Sequence, residues 1–220
     1  YIERAVAEAK LRNASVSLQV FEFVRKVLLL ANPSYLDREQ REARLRFVMR
    51  WQQFTGPIMA KGVEDTALYV YNRLVSLNEV GSEAELPSDP VQAFHRRMSL
   101  RQSRWPWTMN ASSTHDTKRG EDVRARLNVL SEMPERWEMK VDLWSSLNGV
   151  HVDTLEGRPV PDHNEEYLLY QTMLGAWPVD QRDVPDFRKR LEAYAIKAAR
   201  EAKVHTRWTR PEVKREQYLV

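Results

Sequence analysis

Apolar residues recur along this chain at three- and four-residue steps in segment after segment, so the helical period dominates the pattern. Leu18, Phe21, Val24 and Leu28 share one face before Asn32-Pro33 stops the helix. A second face carries Leu45, Val48 or Met49, and Gln52. It begins near Asp37, which with Gln40 three residues on has the form of a capping box, and Thr55-Gly56-Pro57 is expected to end it. Asp89-Pro90 reads as the cap and first turn of a third helix bearing Phe94, Met98 and Arg101. A fourth starts at the acidic pair Glu121-Asp122. Pro134 opens a fifth, with Trp137, Val141, Trp144 and Leu147 at helical steps and Asn148-Gly149 as its stop. Asn164-Glu165-Glu166 starts a sixth that ends at Gly175, and the longest, last one places Phe187, Leu191, Tyr194, Ala195, Ala198 and Ala202 on one face.

Trp105 to Ala111 is the best strand candidate, and Gly157 to Pro161 reads as a loop. A single strand has no obvious partner here, so it is expected to be irregular, exposed or paired with another copy, which makes self-association an expectation. The fold class that follows is a mostly α-helical fragment with at most a few short strands. We read 1–220 as one helical segment, with a possible subdivision near 102–111.

Composition narrows the function classes. Of 220 residues, 34 are Lys or Arg and 31 Asp or Glu, a formal charge of +3. The signs are interspersed, as in Arg38-Glu39-Gln40-Arg41-Glu42, which describes a solvated helical surface rather than a nucleic-acid stripe. The absence of cysteine removes disulfides and thiolate metal sites and permits a reducing compartment. Val27 to Ala31, the longest apolar run, is far too short to cross a bilayer, so no membrane partner and a cytoplasmic location are expected. Tyr1 to Val6 opens within an amphipathic pattern and without an initiator Met, as an internal segment of a longer enzyme would.

The densest chemistry lies in Ser112-Ser113-Thr114-His115-Asp116-Thr117-Lys118-Arg119, between the strand candidate and the fourth helix. Such loops fix the backbone at one end and free side chains to face a ligand. A His-Asp pair at a helix start also serves as an ordinary cap, and from local chemistry alone both readings stand.

Five ordered blocks carry a resemblance: Gln52 to Tyr69, Tyr71 to Gly81, Ser112 to Leu127, Asn164 to Gln171, and Ala199 to Thr206. Together the chain resembles the maltooligosyltrehalose synthase family of α-amylase-like glycoside enzymes. The resemblance implies a (β/α)8 barrel elaborated by helical insertions, acting on maltooligosaccharides without a metal or organic cofactor. The implied reaction turns a terminal α-1,4 linkage into an α,α-1,1 linkage within one molecule. It implies that Asp116 stabilises an oxocarbenium-like transition state and that His115 binds sugar hydroxyls. Lys61, Glu64, Asp65 and Tyr69 would lie beside the acceptor end of the sugar, with Lys118 and Arg119 as further binding candidates, each weighed against a plain salt-bridge or dipole role. A serine common in the family is Gly120 here, which suggests a looser helix entry. Retaining chemistry needs a nucleophile and a general acid about 5 Å apart. Neither motif appears, so both are expected outside this segment and the isolated piece is expected to be inactive.

Tyr71, Trp105 and Trp107 could stack on sugars, although core packing is the expectation for Trp107. His95, His151, His163 and His205 show no metal spacing in sequence, with His205 a possible cleft residue. Two further classes stay open: a helical metal phosphohydrolase built on His115-Asp116, and a non-catalytic helical interaction module.

Overall fold

The computed structural model describes residues 1–82 and 90–220, so the expected cap Asp89 lies outside the described residues. The chain forms two compact units, Tyr1–Ala60 and Lys61–Val220.

In the first unit, α1 (Ile2–Arg12) packs on α2 (Leu18–Leu28), with Val6 and Val27 buried. Ion pairs Lys10–Glu22 at 2.6 Å and Arg25–Glu3 at 2.7 Å rim that contact. Only part of the expected α2 face is covered, since Leu18 stays 65% exposed. α3 (Arg38–Gly62) starts at the expected box: Gln40 N donates to Asp37 Oδ1 at 2.8 Å, and Asp37 N to Gln40 Oε1 at 3.2 Å. The expected stop at Thr55-Gly56-Pro57 does not occur. The helix runs through Pro57, where the surrounding turn is exposed and water can solvate the carbonyl that proline leaves without a donor.

The second unit begins as α3 loosens into a π-helical turn, Val63–Ala67, followed by the single turn α4 (Leu68–Val70) and a 3₁₀ turn, Val75–Leu77. Then come α5 (Pro90–Arg104), α6 (Glu121–Asn128), α7 (Pro134–Asn148), α8 (His163–Ala176), α9 (Val184–Ala202) and α10 (Val213–Tyr218). Its core gathers Tyr69, Val75, Leu127, Leu130, Leu168 and Ala198, with Val123, Trp137 and Tyr194 against them. Helices α6 and α8 meet closely at Gly175, where an added Cβ would stand 2.8 Å from a Val123 methyl and 3.1 Å from Leu127 Cγ. α8 carries a full capping box. Asp162, one residue outside the helix, accepts the amides of Asn164 and Glu165, and Glu165 returns to the Asp162 amide.

Three expectations are corrected. Trp105 to Ala111 forms no strand: Thr108 folds back on the Trp105 carbonyl at 3.1 Å, and among the described residues no neighbouring strand offers a ladder. Trp107 is 94% exposed, so the core expectation for it fails. Gly157 to Pro161 contributes a strand: β1 (Asp153–Leu155) pairs antiparallel with β2 (Arg158–Val160), and Glu156 and Gly157 turn the hairpin with positive φ. No residue of α5 is fully buried: on the expected face Phe94 is 57% exposed, while Met98 and Arg101 are half-buried. Mostly helical architecture holds throughout. No helix of the described residues is long and apolar enough to cross a membrane.

Candidate functional site

The site is built on the irregular stretch between α4 and the 3₁₀ turn, which carries backbone groups that no helix satisfies. Buried amide side chains supply the partners. Gln171, fully buried on α8, gives its oxygen to Val75 N at 2.9 Å and its nitrogen to Asn72 O at 2.7 Å. Asn78, 2% exposed, splits its amide between Leu68 O at 3.0 Å and Tyr71 O at 2.7 Å. Each such group left unpaired would cost about 1–3 kcal/mol, so these bonds favour the observed path of the stretch.

Upon it sits the loop 112–119. His115 and Asp116 occupy the centre of a turn in which Thr117 N bonds Thr114 O at 3.3 Å and Thr114 N bonds Thr117 Oγ1 at 2.6 Å. Both side chains are exposed, and neither makes a hydrogen bond or ion pair among the described residues. The start of the loop is tied by Arg124, which donates to Ser112 O. Its base is anchored more firmly. Glu79 accepts the amides of Lys118 at 2.7 Å and Arg119 at 3.3 Å. The Arg119 guanidinium reaches Val75 O at 3.3 Å and Tyr194 Oη at 2.9 Å.

Asp65 joins the two sequence-distant blocks. Its Oδ1 accepts Lys118 Nζ at 2.7 Å and its Oδ2 accepts Lys61 Nζ at 2.5 Å. These bonds, that from Lys118 foremost, hold the Asp65 carboxyl below the usual carboxylate range. Burial works to lower Lys118, yet the bond and charge of Asp65 prevail and raise it. Lys61 is raised by the same carboxylate. Lys203, in left-handed conformation at the end of α9, donates to Asp65 O at 3.2 Å and to the Thr66 hydroxyl. Glu64 is half-buried on the same π-helical turn and adds a negative charge felt by Lys118.

Lys61, Asp65 and Lys118 are therefore brought together, with Glu64 beside them and Arg119 fixed next to Lys118. Tyr69 is different. It is 8% exposed within the core, and burial pushes its hydroxyl up to about 12, so the ring has little surface to offer a ligand. It lines a small cavity of about 30 Å³ with Asn72, Asp162 and His205. Tyr71 is 44% exposed.

Sequence reasoning missed Glu79, Lys203 and a cluster at the start of α8. There His205 Nε2 meets Asp162 Oδ2 at 2.6 Å, and Arg215 meets Glu165 Oε2 at 2.5 Å. Asp162, Glu165 and His205 are the grouping with metal-ligand proximity among the described residues, and it does not include His115 or Asp116. Its atoms are engaged as cap and ion pair. Burial works to raise Asp162, but the amides and His205 prevail and its carboxyl lies low. The capping-box spacing was the one signal that could have pointed to Asp162.

A solvent-exposed carboxylate can stabilise positive charge developing on a bound molecule, and lysines sharing one aspartate can donate to several hydroxyls at once.

No protein-family model matches the chain. It is 45% identical over 163 residues to a Mycobacterium tuberculosis protein named "Putative maltooligosyl trehalose synthase", covering 74% of this chain and 20% of that protein. The solved maltooligosyltrehalose synthase from Arthrobacter ramosus aligns with 99% of this chain and 25% of its own, at 37% identity and a TM-score of 0.76. The Sulfolobus tokodaii hypothetical maltooligosyl trehalose synthase aligns with 99% of this chain and 31% of its own, at 31% identity and a TM-score of 0.66. The chain thus spans about a fifth of the length of the curated relatives it matches. By sequence and by fold, it belongs to the maltooligosyltrehalose synthase family.

Proposed function

We propose that the chain is a segment of an enzyme that converts maltooligosaccharides to maltooligosyltrehalose, and that it supplies Asp116 and His115 to the sugar being transferred. The observation that carries this reading is the pairing of family membership with an exposed His115-Asp116 tip, whose side chains make no hydrogen bond among the described residues, on an anchored loop. Two carboxyl groups outside the segment would act as nucleophile and general acid. The nucleophile bonds to the anomeric carbon as the α-1,4 bond breaks, and the acid protonates the departing oxygen. The anomeric hydroxyl of the released glucose, deprotonated by the same group, then attacks that carbon, forming the α,α-1,1 bond as the glycosyl–enzyme bond breaks and the nucleophile leaves as a free carboxylate.

In this scheme Asp116 acts when positive charge spreads over the ring, which concentrates its effect in the transition state. His115 donates to ring hydroxyls. Lys61 and Lys118, held by Asp65, would bind the acceptor glucose, and Glu64 and Arg119 border that place. Tyr69 would serve it from beneath, as packing for the π-helical turn.

The isolated 220-residue chain has no activity of its own under this reading, since one carboxylate cannot carry both half-reactions. Product analysis tests it. Given maltopentaose, the longer enzyme carrying this segment should yield a non-reducing isomer of unchanged mass, whereas release of shorter reducing sugars alone would refute the assignment.

A further inference from the structure

Glu79 stands outside the residues that the proposed reaction uses, yet its carboxylate is aimed at the loop that carries Asp116. Oε1 accepts the amides of Lys118 at 2.7 Å and of its own neighbour Val80 at 2.9 Å, while Oε2 accepts Arg119 N at 3.3 Å. Bonds from amides to an ionised carboxylate are roughly twice as strong as neutral ones. The post itself is rigid. Glu79 N bonds the Leu77 carbonyl at 3.0 Å and Ser82 Oγ at 3.1 Å, and its neighbour Asn78 is locked by two buried carbonyls. Lys118 and Arg119 lie two and three residues after Asp116, so their amide planes set where the turn leaves the body. The other ties near the tip are the Thr114–Thr117 bonds and the Asp116 amide on Thr114 Oγ1, which shape the turn, and Arg124 on Ser112 O, which holds its start.

We infer that Glu79 is a positioning residue for Asp116, acting through the Lys118 and Arg119 amides to hold the turn in its productive place; this rests on the reaction proposed above. Loss of the carboxylate releases the Lys118 and Arg119 amides, while the side-chain ties of Lys118 to Asp65 and of Arg119 to Val75 O and Tyr194 remain and every sugar-facing side chain is kept. The cost therefore falls on turnover more than on sugar affinity.

The experiment uses the longer enzyme and three variants, Glu79→Ala, Glu79→Gln and Asp116→Asn, assayed well below the unfolding temperature of each. For Glu79→Ala, kcat should fall about 100-fold, the scale of an ångström-sized misplacement, with KM changed by less than about threefold. Glu79→Gln keeps one oxygen for the Lys118 amide but turns a donor toward the Arg119 amide, and should fall between wild type and Ala. Wild-type kcat in Glu79→Gln and in any Glu79→Ala that folds would overturn the inference, as would a kcat loss that merely tracks the unfolded fraction. Asp116→Asn separates the two failures. If it turns over normally, the reading of Asp116 is what fails; if it is inactive while the Glu79 variants are normal, only the positioning role is lost.

Discussion

Within eight residues the loop 112–119 passes from a tip whose side chains meet solvent to a base fixed by charge. His115 and Asp116 make no side-chain hydrogen bond or ion pair among the described residues, whereas Lys118 and Arg119 are held at backbone by Glu79 and at side chain by Asp65, Val75 O and Tyr194. The difference teaches a division of labour. Rigidity is placed at the base of the loop, so the side chains at its tip keep their lone pairs free. A functional carboxylate that satisfied its own loop, as Asp162 satisfies the start of α8, would have its acceptor sites already taken.

Breaking the tip should cost activity alone. Asp116→Asn in the longer enzyme is expected to lower turnover by about 10³-fold, roughly 4 kcal/mol of transition-state stabilisation, with a much smaller change in sugar binding. Single-turnover kinetics beside equilibrium binding measures both.

Breaking the foundation should cost stability instead. Gln171→Ala strands Val75 N and Asn72 O in the interior and should destabilise the fold by about 3 kcal/mol, measurable by urea denaturation. Gly175→Ala presses a methyl into Val123 and Leu127. It is expected to cost about 2 kcal/mol and to shift α6, which follows the loop directly.

A pH series separates the base from the tip. The folded Asp65 carboxyl lies below its unfolded value, so its contribution is present above about pH 4 and is lost as pH falls through the lower folded value. Lys61 and Lys118 are raised, so their side of the pairing is lost only in alkali, as pH rises past about 10. The stability gap between wild type and Asp65→Asn should be flat between those limits and close on the acid side. The smallest effect belongs to the tip again: His115→Ala should change unfolding free energy by less than about 0.5 kcal/mol, since the side chain touches nothing that folding needs.

Periodicity made α2, α6, α7, α8 and α9 legible, because each has apolar residues at helical steps. It did not say which faces would be covered. Phe94 and Met98 on α5 have the spacing of the α9 face, yet α9 buries Phe187, Ala195 and Ala198 while α5 buries no residue. Burial depends on a partner, and period carries no information about partners. Pro57 misled because α3 continues through it on an exposed turn, where water can take the carbonyl that proline leaves without a donor. The hairpin at 153–160 was hidden by its three-residue strands, too short for alternation to register, and α10 by its single six-residue length.

The loop 112–119 and the block at Lys61–Tyr69 were singled out by their residue types and by the family resemblance, and the structure brings Lys61, Asp65 and Lys118 together. Glu79, Gln171 and Lys203 were not singled out, since each acts on backbone atoms 40, 96 and 138 residues away, and no local pattern encodes such a partner. Tyr69 was readable as an aromatic in a family block, while its burial depended on α9 folding over it.

The most direct test of the shared sugar site is the crystal structure of the longer enzyme, inactivated by Asp116→Asn, with maltopentaose bound. The account requires one sugar chain that passes within hydrogen-bond distance of residue 116 and His115 at one ring and of Lys61 or Lys118 at the next. A fully occupied sugar chain bound elsewhere, leaving the 112–119 turn and the Lys61–Asp65–Lys118 cluster both in open solvent, would contradict it.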